Sequence, residues 1–269
     1  MTEARGQDDP YSRVDYRRVV AWESRIRREG PFLLRLLADA PDASVIDLGC
    51  GTGEHVAFFA EHGARSVGID RSPAMIEKAR SYERTGTGRF LAGDAADAAD
   101  LLSAESPFGL ALCLGNVLPH VPDAAALAAL LGAAHDVLRP GGLCLIQLLN
   151  YERILAEGAR HLPLSFRAGD DGEEIVFLRL LRPLPDGSLE FFPTTLVLDP
   201  ESEEPVRVQG TKRIRLRPWT RRELAPAFDA AGFDVRWCGD MVGGAYAAGE
   251  STDLVIVGRR RTTSEAASD

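Results

Sequence analysis

The sequence predicts an open, mostly parallel α/β sheet with helices on both faces, interrupted late in the chain by an antiparallel β flap. Three observations predict it. Short apolar segments alternate with helical patterns from residue 44 to residue 148, the signature of parallel strands joined by crossover helices. The first of these segments runs into alternating glycines, Gly49, Gly51 and Gly53. After Asn150 the alternation stops and three extended segments follow one another.

Taken in order, a helix is expected over 14–38, where Val19, Val20, Ile26, Leu33, Leu36 and Leu37 fall at helical spacing and Gly30-Pro31 predicts a break. A strand over 44–48 leads through the glycine-rich turn into a helix over 54–61, and a second strand over 66–69 ends at Asp70. Ser72-Pro73 opens the next helix, with serine as cap and proline at the first helical position. Strands over 89–92, 109–114 and 142–148 continue the alternation. An alanine-rich helix over 123–138 precedes the last of them, and Pro140-Gly141-Gly142 marks the turn between.

Beyond a short helix over 151–157, extended segments are expected over 174–181, 189–198 and 206–217. In the third, Ile214 and Leu216 alternate with Arg213, Arg215 and Arg217, the period of a half-buried strand. A helix over 220–230 and strands over 233–238 and 253–257 return to the first pattern. The expected organisation is an N-terminal helical lid (1–43), a core (44–150 and 218–260), the inserted flap (151–217) and a polar tail (261–269). A flap placed after the fifth strand rises above the carboxyl ends of the strands, where ligands bind in such sheets.

Composition narrows the partners. The 269 residues carry a formal charge of −9, which argues against nucleic acid and anionic membrane surfaces, both of which call for a basic face. The first ten residues hold no apolar core of a secretory signal, and no apolar run reaches the length of a membrane span. The four cysteines, Cys50, Cys113, Cys144 and Cys238, are scattered and read as small core residues in a reducing cytosol. A cytoplasmic location follows as the expectation. Histidines are dispersed, and the acidic residues over 94–100 lack histidine partners at helical spacing, so no metal is expected.

The strongest motif is Val45-Ile46-Asp47-Leu48-Gly49-Cys50-Gly51-Thr52-Gly53. Alternating glycines after a strand let the backbone turn sharply and approach a ligand closely, and the following helix offers free N–H groups. A nicotinamide dinucleotide fingerprint would read G-x-G-x-x-G; this segment reads D-x-G-x-G-x-G. It resembles motif I of the class I S-adenosylmethionine-dependent methyltransferases. That resemblance implies a Rossmann-like methyltransferase sheet with an antiparallel last strand, and S-adenosyl-L-methionine as cofactor. It places Asp47, Gly49, Gly51 and Gly53 at the cofactor, Asp70 on the ribose hydroxyls, and Asp94 and Ala95, with Leu114, around the adenine and the methyl-bearing end.

A narrower resemblance rests on Cys113-Leu114-Gly115-Asn116-Val117-Leu118-Pro119-His120-Val121-Pro122-Asp123 and on Asn150-Tyr151-Glu152-Arg153-Ile154-Leu155. These segments are similar to those of the glycine N-methyltransferase branch, as is Gly239-Asp240-Met241 before the last strand. The similarity spans 11–260. It implies that Arg25 pairs with the methionyl carboxylate, for which a planar guanidinium fork is suited; the other reading of Arg25 is a solvated charge on an arginine-rich helix. One departure matters. Where the branch has an arginine before the Asn-Tyr pair to grip the carboxylate of glycine, this chain has Leu149.

Methyl transfer from a sulfonium needs no protein nucleophile, since positioning alone supplies about 7–11 kcal/mol in well-oriented systems. Gly115 and Asn116 are expected to orient the acceptor. His120 reads either as a proton acceptor or as a structural cap of its loop. Tyr11 and Tyr16 are expected in the lid, Tyr151 and Tyr246 in the acceptor pocket, and Arg179, Arg182 and Arg207 on the flap are substitutes for the missing carboxylate anchor. The expected partner is a small-molecule methyl acceptor, with an amine nitrogen first and an O-methylated metabolite, with His120 as base, second. A non-catalytic cofactor-binding module and a nicotinamide-linked oxidoreductase complete the alternatives, and a homo-oligomer through the N-terminal segment or the flap stays open.

Overall fold

All five residues of β1 (Ser44–Leu48) are buried, as a strand covered on both faces must be. The computed structural model describes residues 20–83, 85–105, 107–169 and 172–262. Around β1 it arranges β2 (Arg65–Asp70), β3 (Arg89–Ala92), β4 (Phe108–Cys113), β5 (Leu138–Leu149), β11 (Phe233–Cys238) and β12 (Asp253–Arg260). Their order across the seven-stranded sheet is β11-β12-β5-β4-β1-β2-β3. The pairs among β1 to β5 are parallel, and β12 runs antiparallel to both its neighbours. The expected sheet, with its antiparallel last strand, is the one observed.

Helices cover both faces. On one side α1 (Trp22–Asp39) and α2 (Glu54–Glu61) bury Phe32, Leu33, Leu36, Phe58 and Phe59 against the sheet. Between β2 and β3 lies α3 (Pro73–Tyr82), capped by Ser72, whose side chain accepts from Met75 N at 3.1 Å. A short α4 (Ala98–Leu101) follows a 3-10 turn, and α5 (Ala124–Val137) buries Leu127, Leu130 and Leu131 on the opposite face. There it meets α7 (Arg221–Ala230), which opens on a capping box between Thr220 and Glu223, each side chain satisfying a backbone N–H that the helix leaves unpaired.

Between β5 and α7 stand α6 (Tyr151–Ala156) and the flap: β6 (Ser165–Ala168), β7 (Glu174–Pro183), β8 (Leu189–Leu198), β9 (Val206–Thr211) and β10 (Ile214–Leu216). These form a separate antiparallel sheet, ordered β10-β8-β7-β6, with β9 also on β8. Its base is continuous with the main core through Leu181, Leu189, Leu216 and Trp219. Trp219 donates from Nε1 to the Val121 carbonyl at 3.1 Å, and Arg217 N donates to the Pro119 carbonyl at 2.8 Å. Val20, ahead of α1, packs on the flap residues Ile175 and Phe177.

The structure corrects several boundaries. The break expected at Gly30-Pro31 does not occur, and α1 runs through it. Proline deprives a helix of one bond, to the carbonyl four residues back; here that carbonyl belongs to Arg27, on the exposed side, where water replaces the partner. Residues 14–19 of the expected helix, and Tyr11 and Tyr16 with them, lie outside the described residues. The turn at Pro140-Gly141-Gly142 is instead a bulge within β5, since Leu138 pairs with Phe108 and Leu143 with Leu110. The segment 206–217 splits in two, because Lys212 N reaches across to the carbonyl of Pro193 in β8, whose own nitrogen has no proton to give. Strand β6 was too short, at four residues, to show a period. Among the described residues no helix is long and apolar enough to cross a membrane.

Phe228 is fully buried, with ring centroids of Phe233 and Trp237 at 5.9 and 6.3 Å. Phe228→Ala is expected to lower unfolding free energy by roughly 3–5 kcal/mol, read from urea denaturation; a loss under about 1 kcal/mol would show that α7 is not a structural part of the core.

Candidate active site

The site is built at the carboxyl ends of β1, β2 and β4. Leaving β1, the chain takes positive φ at Gly49, Gly51 and Gly53 (+87°, +54° and +83°). At Gly51 a Cβ would project into open space, whereas at Gly53 it would stand 2.6 Å from the Phe90 ring. Gly53 therefore serves as the αL cap of α2 against a packed neighbour, a conformation that costs other residues roughly 1–2 kcal/mol. From the end of β2, Asp70 receives Gly51 N on Oδ2 at 2.8 Å and Ser72 N on Oδ1 at 2.9 Å. Asp94, after β3, caps the next turn by accepting from Ala96 N at 2.9 Å.

These loops enclose a cavity of 540 Å³, within the range of pockets that take small molecules and cofactors. One end is apolar, walled by Met75, Val117, Val121, Pro122, Ala126 and Leu130, with Asp94, Ala95 and Ala96 beside it. Asp70 lies along the wall. The other end gathers Trp22, Arg25, Asp47, His55, Leu114 and Gly115.

The second end is the more charged. Arg25 Nε donates to both oxygens of Glu29 at 3.0 Å, and its guanidinium lies over the Trp22 ring at 4.9 Å. Glu29 is buried; burial pushes its carboxyl up, but His55 and Arg25 outweigh that and hold it below the usual range. His55, also buried, places Nε2 at 3.5 Å from Glu29 and Nδ1 at 3.9 Å from Asp47. Asp47 Oδ1 is buried without a hydrogen-bond partner among the described residues. Burial raises the Asp47 carboxyl to about 6, and Asp70 adds to the rise, against the opposing pull of His55. At the cavity wall, burial and the charge of Arg71 lower His120 to about 4.

Of the residues picked from the sequence, Arg25, Asp47, Gly49, Gly51, Asp70, Asp94, Ala95, Leu114, Gly115 and His120 line one cavity. Others do not. Gly53 packs behind the loop, as above. Asn116, held at φ +66°, turns its amide into the protein: Nδ2 donates to Tyr151 Oη at 2.9 Å, and Oδ1 accepts from Leu149 N at 3.1 Å. Tyr151 is thereby buried and engaged, with burial pushing its hydroxyl far above the ordinary value, and it is no pocket wall. Tyr246 bonds to Asn150 and Glu152 beside a separate surface hollow. On the flap, Arg182 pairs with Glu190, Arg207 with Glu173, and Arg179 donates to the Pro163 carbonyl, so none of the three reaches the cavity.

Sequence reasoning missed Trp22, Glu29, His55 and Arg71. Arg25 and Glu29 carried a signal, the i,i+4 spacing of opposite charges on a helix. For His55 and Arg71 there was none, since their importance comes from what α1 and the loop at 117–122 bring against them.

Comparison with known proteins bears on this geometry. Residues 45–142 match the methyltransferase domain family. Those residues carry a methyltransferase domain, and the sheet built around them has the fold of S-adenosylmethionine-dependent methyltransferase structures. The chain is 31% identical over 143 residues to a glycine/sarcosine N-methyltransferase of Parasynechococcus marenigrum, covering 53% of this chain and 50% of the relative. It is 36% identical over 118 residues to a trans-aconitate 2-methyltransferase of Deinococcus radiodurans, covering 43% and 42%. The chain spans about half the length of the curated relatives it matches. In fold it is similar to the S-adenosylmethionine-bound structure of an amino pentose methyltransferase of Micromonospora echinaspora, with a TM-score of 0.70, 22% identity and coverage of 90% and 92%.

S-adenosylmethionine is the cofactor of this class, and the residues present fit it. The unpartnered Asp47 Oδ1 is a ready acceptor for a bound cation, and a Cβ on Gly51 would intrude on the space a ligand takes. Asp70, a carboxylate in the cavity lining that accepts two backbone bonds, has the acceptor chemistry that a vicinal diol calls for.

The raised Asp47 carboxyl has a pH signature in the absence of ligand. With a folded value of about 6 against 3.8 unfolded, the folded protein retains a proton that the unfolded chain releases, so stability falls as pH rises from about 4 to about 6. Asp47→Asn, neutral throughout, is expected to gain on the order of 3 kcal/mol over the wild type across that window, measured by denaturant unfolding at each pH. Parallel stability curves would mean that Asp47 is ionised in the fold at acid pH.

Proposed function

We propose that the protein transfers the methyl group of S-adenosylmethionine to the nitrogen of a small amine. The cofactor supplies a methyl already activated on a sulfonium. In this reading Arg25 holds the methionyl carboxylate, Asp70 the ribose hydroxyls, and Asp94 and Ala95 the adenine edge, with Asp47 beside the cationic part. Leu114 and Gly115 flank the reacting centre and keep water from it.

The observation that carries nitrogen over oxygen is His120. With a value near 4 it is neutral at physiological pH but a weak base, and a useful general base titrates near the working pH. A hydroxyl acceptor needs such a base; a neutral amine does not, since its lone pair attacks first and the proton leaves afterwards to water. The glycine/sarcosine N-methyltransferase relative supports the same chemistry. Glycine itself is disfavoured, because Leu149 offers a backbone N–H already bonded to Asn116 and no cation. The acceptor inferred is an amine without a carboxylate beside the nitrogen, methylated in the reducing interior that the four buried, unpaired cysteines suit.

Purified protein with S-adenosylmethionine, followed by S-adenosylhomocysteine release, tests this against glycine, sarcosine, dimethylglycine, carboxylate-free amines, and hydroxylated or carboxylic acids. Turnover of carboxylate-free amines is expected, with His120→Ala lowering kcat by less than about tenfold. Turnover restricted to hydroxyl or carboxylate acceptors, with a loss above about a hundredfold on His120→Ala, would replace nitrogen by oxygen.

A further inference from the structure

Resting on the reading that the cavity takes S-adenosylmethionine, we infer that Glu29 and His55 are positioning residues for Arg25, a buried chain that fixes its guanidinium over Gly115 without touching the ligand. The amino-acid end of the cofactor then depends on two side chains the nucleoside end does not need.

The geometry is specific. Both oxygens of Glu29 accept from Nε of Arg25, with Arg28 Nη2 also donating to Oε1 at 3.3 Å, and the use of Nε leaves the terminal nitrogens of the Arg25 guanidinium directed elsewhere. One of them, Nη1, stands 3.8 Å from where a Cβ on Gly115 would be. An arginine side chain carries about 2 kcal/mol of rotamer entropy, so without Glu29 the fork would have no fixed aim. Glu29 is only 2% exposed. A buried carboxylate needs close partners to offset its desolvation, and besides Arg25 the exposed Arg28 pairs with Glu29 at 3.3 Å. His55 adds a buried neighbour, with Nε2 3.5 Å from Glu29 but making no hydrogen bond among the described residues, and its ring meets Trp22 edge-on at 5.5 Å. Trp22 is thus held between His55 and Arg25.

The position of His55 explains why the chain belongs to the site and not merely to the core. It is the second residue of α2, two residues after Gly53, and its other nitrogen faces Asp47 at the end of β1. It therefore joins the glycine loop to α1, and the arginine on α1 is set in register with the loop. Gly115 is fixed from the opposite side: Gln147 accepts from Gly115 N at 2.9 Å and donates to Asp253 at 2.6 Å. Arg25 and Gly115 share no hydrogen bond, although Asp253 at the end of the second set also feels the charges of Glu29 and Arg25.

Calorimetric titration with two ligands tests this. S-adenosylhomocysteine carries the amino-acid end, and 5′-methylthioadenosine has the same nucleoside and thioether without it. His55→Gln and Glu29→Gln are each expected to weaken S-adenosylhomocysteine by about tenfold or more and 5′-methylthioadenosine by less than about twofold. Arg25→Ala should show the same selectivity, and adding His55→Gln to it should cost nothing further. Equal weakening of both ligands, or losses that add in the double variant, would overturn the inference. A wild-type protein that binds neither ligand would overturn the cofactor reading itself, an outcome distinct from either. Glu29→Gln preserves shape, so if His55→Gln fails to fold the comparison still stands.

Discussion

The carboxylate of Asp70 ties together the two loops from which the cavity is made. One oxygen holds the glycine turn after β1 through Gly51, and the other starts α3 through Ser72. Both bonds go to a carboxylate, and they add to the backbone bonds from Gly49 and Cys50 to Ile69 and to the Ser72 cap that also hold these segments. Remove the carboxylate and the turn loses its only side-chain anchor described here, while α3 loses the bond that sets its entry. The same group is a carboxylate in the cavity lining, of the chemistry that a diol calls for. Structure and recognition are therefore carried by a single side chain, which is why the ends of parallel strands, where such loops converge, are where ligands bind.

The flap is coupled to this site at its base. Trp219 and Arg217 bond to the carbonyls of Val121 and Pro119, in the loop that also presents Val117 and His120 to the cavity. At its far side Ile175 and Phe177 meet Val20, just ahead of α1. The arginine-bearing helix and the flap thus approach one another across the cavity end that holds Arg25. Movement of the flap would be felt at α1 through apolar contact, and at His120 through the hydrogen-bonded loop.

Much of this was legible in the sequence because it depends on local rules. The order of strands and helices followed from alternation, and the glycine turn from φ requirements that only glycine meets cheaply. The carboxylates at the ends of β2 and β3 were found by their place after a strand. Side-chain direction was not legible. Asn116 looked like an acceptor ligand because its segment does, yet at φ +66° its amide is spent on Leu149 and Tyr151. Tyr151 and Tyr246 were placed correctly on elements near the site but point away from it. His55 was invisible, because its partners Glu29 and Asp47 stand 26 and 8 residues away in sequence on two other elements. Long-range pairing among buried charges leaves no period to read.

The replacement of an arginine by Leu149 changes more than one contact. Asn116 Oδ1 accepts from both Leu149 N and Tyr151 Oη, and Tyr151 accepts in turn from Asn116 Nδ2. This knot is closed on itself and carries no net charge. A cation introduced at Leu149 would stand across the β5–β12 pair from Asp253, whose carboxylate already accepts from Gln147. Asn116 and Tyr151 thus spend their polar atoms inside the protein, on a knot that is not part of the cavity lining. On the proposed reading, a zwitterionic amino acid would have two charges to desolvate and, with leucine at position 149, one anchor missing, which disfavours it as the acceptor.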